Sequence, residues 1–217
     1  MNARYLFAAA SITALGLAAM AGAIATADGP GDEKPAEKSE QKLPPGWTAA
    51  DMEAFMLAAT PGKMHERLAR EVGSWRGKNT MWCGPDSEPT TIDCTNTIAA
   101  LLDGRFTKCE MAGEIPGMGP YSGLAITGYD NVSKKFVCSW IDNFGTGMAL
   151  GEGDLSADGK VLTWNFTFNC PIQKKPVVMR QVETDTGKDS KTVESFGPDP
   201  KTGKEFKMMR IELVKRK

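Results

Sequence analysis

Hydrophobic and polar side chains alternate along most of the chain from residue 73 onwards. The clearest stretch is residues 161–170, where apolar and polar positions interleave: Leu162, Trp164, Phe166 and Phe168 against Thr163, Asn165, Thr167 and Asn169. Residues 136–143 alternate in the same way. Because successive side chains of a β-strand point to opposite faces, this period of two predicts strands with one buried and one solvated face.

Turn signals recur at short intervals between these segments. They are Asp103-Gly104, Tyr129-Asp130-Asn131, Gly145-Thr146-Gly147, Asp158-Gly159, Thr186-Gly187-Lys188 and Thr202-Gly203-Lys204. About ten strand-like segments follow one another as hairpins, with no helical stretch to cross over. Closing such a sheet removes its edge strands. The pattern therefore predicts an all-β fold, an up-and-down antiparallel β-barrel of about ten strands.

Two short helices are predicted before the first strand. Thr48 with Asp51 three residues later resembles a capping box, which opens a first helix. Thr60 is then the predicted N-cap of a second helix, with Pro61 at its first position. The first predicted helix runs through Met52, Phe55 and Met56, and the second carries His65, Leu68, Ala69 and Val72.

The N-terminal segment predicts export. Residues 1–27 have a positive start at Arg4, an Ala-rich apolar run and the small residues Ala25 and Ala27 before Asp28, which is typical of a cleaved signal peptide. A retained membrane anchor is the alternative. Residues 28–47 are rich in Pro, Gly, Glu and Lys, and are predicted to form a disordered linker. The expected domain is then residues 48–217, in the periplasm or secreted, with no integral span after cleavage.

The net charge and the number and spacing of the cysteines limit the kinds of partner, metal site and disulfide that the sequence predicts. The formal net charge is −1, without the basic excess of a nucleic-acid or anionic-membrane binder. The five cysteines contain no CxxC pair and no zinc-site spacing, so no metal site is predicted. An oxidising compartment favours some pairing. Cys83 and Cys94, which flank a polar loop, are the leading pair for a disulfide, although connectivity stays open.

Gly73-Ser74-Trp75, after the second helix and at the start of the first strand, resembles the Gly-x-Trp signature of lipocalin and calycin barrels. The resemblance implies that Trp75 plugs one barrel end and that a basic residue of the last strand packs across it. Arg210 is the expected partner.

A second resemblance is to an uncharacterised bacterial family, domain of unknown function 1579. It rests on residues 61–75 (PGKMHERLAREVGSW), on residues 103–106 (DGRF) and on residues 122–143, which contain GYD and WID. This resemblance implies a lipocalin-like barrel and leaves the activity open.

His65 is the only histidine, so a multi-histidine metal site is excluded and any histidine relay must use this residue. No Gly-x-Ser-x-Gly elbow accompanies it. Two interpretations are open. His65 is an axial haem ligand, or it caps the helix and packs it against the barrel mouth. The second is favoured, and no cofactor is predicted.

Four further residues are candidates for ligand contact. Trp140 and Asp142 lie two apart on one strand and share a face, so Asp142 either orients a ligand in the cavity or accepts N–H groups of the following turn. Tyr129 either contacts a ligand or begins a turn. Arg105 either reaches inward to an anionic head group or is a solvated turn arginine.

The leading function is binding of a small apolar or amphipathic, lipid-like molecule inside the barrel, because a ten-stranded barrel is wider than its side chains fill. One alternative is an enzyme that acts on such a ligand through Asp142 with Tyr129 or His65. The other is a filled barrel that serves as an envelope interaction module.

Overall fold

A computed structural model describes residues 43–217 as one compact unit. The predicted signal peptide and most of the predicted linker lie outside the described residues, so those expectations stay predictions. No helix within residues 43–217 has the length and apolar character needed to cross a membrane.

Ten antiparallel strands follow two short helices, α1 (Ala49–Ala59) and α2 (Lys63–Ala69). The strands are β1 (Gly73–Met81), β2 (Thr90–Leu101), β3 (Phe106–Ile115), β4 (Gly119–Asp130), β5 (Lys135–Asp142), β6 (Ala149–Leu155), β7 (Val161–Cys170), β8 (Lys175–Gly187), β9 (Ser190–Pro198) and β10 (Glu205–Lys215). Each pairs with its sequence neighbour, and β1 pairs with β10 to close the barrel. The predicted up-and-down barrel is confirmed.

The first helix begins as predicted. The Thr48 side chain accepts from the backbone N–H of Asp51, and the Asp51 carboxylate accepts from the backbone N–H of Thr48 at 2.8 Å. None of the residues of α1 is buried. Its C-terminal carbonyls are held by Asn131, whose Nδ2 donates to the carbonyl oxygens of Ala58 (3.0 Å) and Thr60 (2.8 Å).

The second helix begins later than predicted. Thr60 is the C-cap of α1, and Gly62 is the N-cap of α2. The cap is supplied by His65, whose Nδ1 accepts the Gly62 N–H at 3.0 Å. The helix also ends at Ala69, before Val72. Pro61 fits this geometry because it lacks an N–H and restrains the chain between the two helices.

Alternation along the strands puts the aromatic residues inside the barrel. One buried cluster contains Trp75, Cys94, Ile98, Met111, Val193, Ile211 and Leu213. A second contains Leu68, Phe136, Leu162, Trp164 and Phe166. Leu68 comes from α2, so the helix completes the core of the barrel.

The two ends of the barrel differ. At the closed end, α2 leads into β1, and its residue His65 meets Tyr129 at the end of β4, with ring centroids 6.0 Å apart. The open end carries the hairpin loops that follow β1, β3, β5, β7 and β9. Both described helices contact the closed end, through Leu68 and through the Asn131 bonds. The open end is therefore the accessible entrance to the interior.

Candidate ligand-binding site at the open end of the barrel

The interior of the barrel contains accessible space. Several side chains that face inward by strand alternation are only half-buried: Cys109, Tyr121, Cys138, Trp140, Met179, Gln181 and Met209. The wall around them is continuous, because every strand is hydrogen-bonded to two neighbours. Apart from Cys138, which also borders a groove on the outer wall, their exposed surface therefore faces the barrel interior, which we call the lumen. Aromatic, thioether and thiol groups make up most of this set, and such groups dominate the lining of small-molecule sites.

Asp142 is the centre of a polar group inside the mouth. Its Oδ2 accepts from the indole Nε1 of Trp140 at 3.1 Å and from the hydroxyl of Tyr121 at 3.4 Å. Its Oδ1 accepts from the backbone N–H of Phe144 at 2.9 Å. The turn interpretation of Asp142 is thus confirmed through Oδ1, whereas the ligand-orienting interpretation stays a prediction.

Two aromatic rings complete this group. Tyr121 and Phe144 pack edge to face, with ring centroids 5.4 Å apart. Burial, and then the neighbouring carboxylate of Asp142, raise the pKa of Tyr121 above its ordinary value. The phenol is therefore protonated and acts as the donor. We name Tyr121, Trp140, Asp142 and Phe144 the mouth cluster.

A chain of hydrogen bonds runs along the inner wall beyond the lumen. Ser195 Oγ donates to Gln181 Oε1 and Gln181 Nε2 donates to Glu183 Oε1, both at 3.2 Å. The indole of Trp164 donates to the same Glu183 oxygen at 2.8 Å. Ser195 is only 1% exposed. These polar groups are satisfied by one another, as buried polar groups must be.

The chain ends in a buried ionic network at the closed end. Lys191 lies between Glu71 and Glu183, while Arg67 pairs with Glu71 and with Asp185. Burial alone would raise the pKa of Glu71, but Lys191 and Arg67 outweigh it and hold that pKa below its ordinary value. Burial would likewise lower the pKa of Lys191, yet Glu183 and Glu71 raise it. The lysine and Glu71 are therefore ionised and satisfy each other.

Trp75 plugs this closed end, and its basic partners differ from the predicted one. Its indole Nε1 donates to the Glu71 carbonyl at 2.8 Å. The ammonium groups of Lys191 and Lys215 lie 5.4 and 5.5 Å from its ring centroid. Arg210 faces outward instead, because its strand neighbour Ile211 points into the core.

The register of the β1–β10 pairing explains why Arg210 is not the partner of Trp75. Trp75 pairs with Lys215 across the β1–β10 ladder, whereas Arg210 pairs with Thr80. The guanidinium of Arg210 contacts Glu212 at 2.8 Å and Glu194 at 3.4 Å on the outer wall. Gly73 fits its place in the signature, because it has a φ of +136° that favours glycine.

His65 and Tyr129 belong to the closed end. His65 is 7% exposed and caps α2, which agrees with the capping interpretation. Tyr129 packs edge to face on His65 and on Phe136. Since Tyr129 pairs with Phe136, it lies six residues along β5 from Asp142, or about 20 Å at the usual rise per residue. The structure does not bring Asp142 together with Tyr129 or His65.

Arg105 is a turn residue at the closed end. Its guanidinium donates to the Leu102 carbonyl at 3.3 Å and lies 3.7 Å from the Asp103 carboxylate. Its side chain is 41% exposed. The solvated-turn interpretation therefore holds, and Arg105 does not reach into the lumen.

The expected disulfide is not formed. Cys83 is exposed in the loop after β1, whereas Cys94 is buried inside the barrel. All five cysteines are free thiols in the described residues. Burial raises the pKa of Cys109 to about 11 and that of Cys138 to about 12, so both are protonated and weakly nucleophilic. No group of His, Cys, Asp or Glu within residues 43–217 is arranged to hold a metal ion.

Two grooves lie on the outside of the barrel wall. One, of about 780 Å³, runs over β1, β2 and β10 and is lined mainly by outward-facing residues such as Arg76, Asp93 and Glu212. The other, of about 640 Å³, lies over β5, β6 and β7. Their charged lining is typical of a solvated barrel wall. Neither groove has donors that converge on a carboxylate among several aromatic rings, as the mouth cluster does, so the mouth cluster is the better ligand site.

Several residues of the interior were missed at the level of sequence. They are Glu71, Tyr121, Phe144, Gln181, Lys191 and Ser195. Alternation alone would have placed Tyr121 on the same face of β4 as Tyr129, and Gln181 on the same face of β8 as Met179. The pairing of Glu71 with Lys191 had no local signal, since 120 positions separate them.

The chain belongs to the DUF1579 family, described as proteins of unknown function, which it matches over residues 60–215. The match spans β1 to β10 and includes α2, so it contains both the mouth cluster and the closed end. No curated protein matches the sequence.

Two solved structures share the barrel. The crystal structure of Rv2717c from M. tuberculosis has a TM-score of 0.53 and 14% identity, over 73% of this chain and all of that one. The S-type phycobiliprotein lyase CPES from Guillardia theta has a TM-score of 0.51 and 11% identity, over 75% of this chain and 97% of that one. At these identities the likeness concerns the fold, which is a calycin-like barrel.

Proposed function

We propose that this protein is an exported carrier that binds a small apolar or amphipathic molecule in the lumen of its barrel. The observation that carries the proposal is the set of half-buried, inward-facing side chains inside a closed wall, among them Trp140, Met179 and Met209. Methionine side chains adapt to irregular apolar ligands. The loops of the open end give the ligand its way in.

The geometry supports binding better than catalysis. The mouth cluster joins Asp142 to neutral donors, and among the described residues neither a histidine nor a second carboxylate is hydrogen-bonded to it. General acid–base chemistry needs a proton donor or acceptor within hydrogen-bond reach of the reacting atom. Tyr129 and His65, which the enzyme hypothesis requires, lie at the other end of the barrel.

A second candidate function is an envelope interaction module that acts through the outer wall. It is favoured by the two external grooves and by the dense packing of Trp164 and Phe166, which are 2% and 5% exposed. This packing fills one end only. Trp140, at the other end, stays half-buried, so the carrier is the better-supported function.

Native mass spectrometry tests the proposal. The protein is purified from its own host without detergent and analysed under native and denaturing conditions. We expect an additional mass that is lost on denaturation and that is identified as a small organic molecule. The variant Trp140→Arg, which places a bulky charged side chain in the mouth, should lose this mass while staying folded. A bare polypeptide mass, also after incubation with lipid extracts, would contradict the carrier and favour the outer-wall module.

The N-terminal processing of the same sample tests export. Cleavage after Ala27 should leave a chain that begins at Asp28 in the periplasmic or secreted fraction. An intact N-terminus in the membrane fraction would instead support the retained anchor.

A further inference from the structure

Asp142 differs from the other inward-facing carboxylates in having no cationic partner. Glu71, Glu183 and Asp185 each pair with Lys191 or Arg67. Among the described residues, the groups that hydrogen-bond to the Asp142 carboxylate are all neutral. The Asp142 carboxylate at the mouth of the lumen thus has no ion-pair partner among the described residues.

The surroundings of this charge are aromatic. The indole of Trp140 lies against the backbone of β4 at Gly123, where an added Cβ would come within 2.2 Å of the ring. The part of the indole that stays accessible faces the lumen. Tyr121 and Phe144 stand beside it, edge to face. A carboxylate among aromatic rings is the combination that attracts organic cations, through charge and through the negative ring faces.

Within residues 43–217, the cationic side chains that face the interior are already engaged by other groups of the protein. Lys191 is held by Glu71 and Glu183. Lys215 packs on Trp75 and donates to the Arg70 carbonyl at 2.9 Å. Both lie at the closed end. The lysines of the open end are exposed on its rim, and they are Lys174, Lys175, Lys201 and Lys204. A fatty acid or another carboxylate would therefore meet the uncompensated Asp142 without a basic partner in the lumen.

We propose that the ligand carries an ammonium group, tertiary or quaternary, on an apolar body, and that the mouth cluster binds this group. Asp142 supplies the counter-charge, and Trp140, Tyr121 and Phe144 surround the cation. The apolar body extends along Met179 and Met209 into the lumen. This inference rests on the proposed carrier function and specifies the chemical class of its ligand.

Three probes with the same twelve-carbon chain test the head group: dodecyltrimethylammonium, dodecanol and dodecanoate. Each is titrated into the full chain below its micelle concentration, and binding is followed by calorimetry and by tryptophan fluorescence. We expect dodecyltrimethylammonium to bind about tenfold more tightly than dodecanol, in line with a cation–aromatic contact plus a counter-charge. Dodecanoate should bind most weakly.

Asp142→Asn removes the charge of the site and keeps its shape. It should weaken the binding of dodecyltrimethylammonium about tenfold and change the affinity for dodecanol by less than about twofold, since only the counter-charge is removed. Glu114→Gln is the matched control, because Glu114 is exposed on the outer side of β3 near the same end. This control should leave all three affinities unchanged. Circular dichroism and thermal unfolding confirm that both variants are folded.

The outcomes distinguish the two proposals. If none of the three probes binds the folded protein, the carrier function itself fails. If all three bind with similar affinity, and Asp142→Asn changes none of them, the carrier function stands and the ammonium inference is overturned. Tightest binding of dodecanoate would overturn it as well.

Discussion

The closed and the open end of this barrel use the same kinds of residue in opposite ways. At the closed end, Trp164 is 2% exposed and its indole donates to a carboxylate that is itself paired with a lysine. At the open end, Trp140 is half-buried and its indole donates to a carboxylate that has no cation. Dense packing and charge balance stabilise the first arrangement. The second leaves accessible surface and a carboxylate without a cation, so the proposed binding site and the densely packed core lie at opposite ends.

The comparison predicts unequal costs for removing the two tryptophans. Trp164→Ala should lower the free energy of unfolding by about 3–5 kcal/mol, the usual cost of a large buried cavity. It also leaves the Glu183 oxygen without its indole donor. Trp140→Ala should cost less than about 2 kcal/mol, because its ring is already partly solvated. Urea unfolding of both variants measures the difference. Equal losses would show that the open end is packed as tightly as the closed end.

The buried network predicts the next largest effect. Glu71→Ala leaves Arg67 and Lys191 with an incomplete set of buried partners, and should cost about 3 kcal/mol. The control is Asp154→Ala, which breaks the exposed pair with Lys135 and should cost less than about 1 kcal/mol. Chemical unfolding measures both. A small loss for Glu71→Ala would mean that water reaches the network and screens its charges.

The shifted pKa of Glu71 predicts how the free energy of unfolding depends on pH. The pKa of Glu71 is held below its ordinary value, so its contribution is present above that ordinary value and is lost as the pH falls through the folded-state pKa. Burial raises the pKa of Asp185, which therefore acts in the opposite sense. Glu71→Gln should be less stable than wild type at pH 7, and the gap should shrink towards pH 3. A gap that stays constant over this range would show that Glu71 is not ionised in the folded protein.

Gly123→Ala should change the packing of Trp140 at the open end and leave the closed end unchanged. The new Cβ would come within 2.2 Å of the Trp140 ring, so the indole must move away from β4. We expect a shift in tryptophan emission, a loss of about 1–2 kcal/mol in stability and weaker binding of dodecyltrimethylammonium. Gly147→Ala, in the loop after β5 with nothing within 4 Å of its added Cβ, should change none of these. Unchanged emission in Gly123→Ala would show that the indole does not rest on this glycine.

The smallest expected effect is a difference in the reaction rates of the cysteine thiols. At pH 8 a disulfide reagent should react quickly with one cysteine, the exposed Cys83. Cys109 and Cys138 should react slowly and speed up with alkalinity, because burial raises their pKa values to about 11 and about 12. Mass spectrometry of the labelled chain assigns the sites. A native Cys83–Cys94 disulfide, seen as an unreactive pair before reduction, would contradict the free thiols found here.

Much of the fold follows from local patterns in the sequence. Alternation placed Trp140, Asp142, Trp164 and Phe166 on inward faces, and the turn residues separated the strands. The Thr48–Asp51 capping box also formed as predicted, since it depends on residues three apart. The second helix started later than expected because His65 supplies its cap to Gly62, and a histidine cap has a weaker sequence signal than a Thr-Pro pair.

The side-chain partners within the barrel depend on long-range contacts that local sequence patterns do not predict. Arg210 was expected across Trp75, but the β1–β10 ladder pairs Trp75 with Lys215 and Arg210 with Thr80. Cys83 and Cys94 flank one loop, yet Cys94 faces the core and Cys83 faces solvent.

The sequence by itself determined a ten-stranded barrel with an aromatic interior, because strand alternation and turn chemistry act between near neighbours. Only the tertiary structure decided which end is filled and which stays open. It joined Tyr121 to Asp142 across 21 positions and Glu71 to Lys191 across 120. Those pairings arise from register and barrel closure, which couple residues far apart in the chain. They place the ion-paired carboxylates at the closed end and the unpaired carboxylate of Asp142 at the mouth.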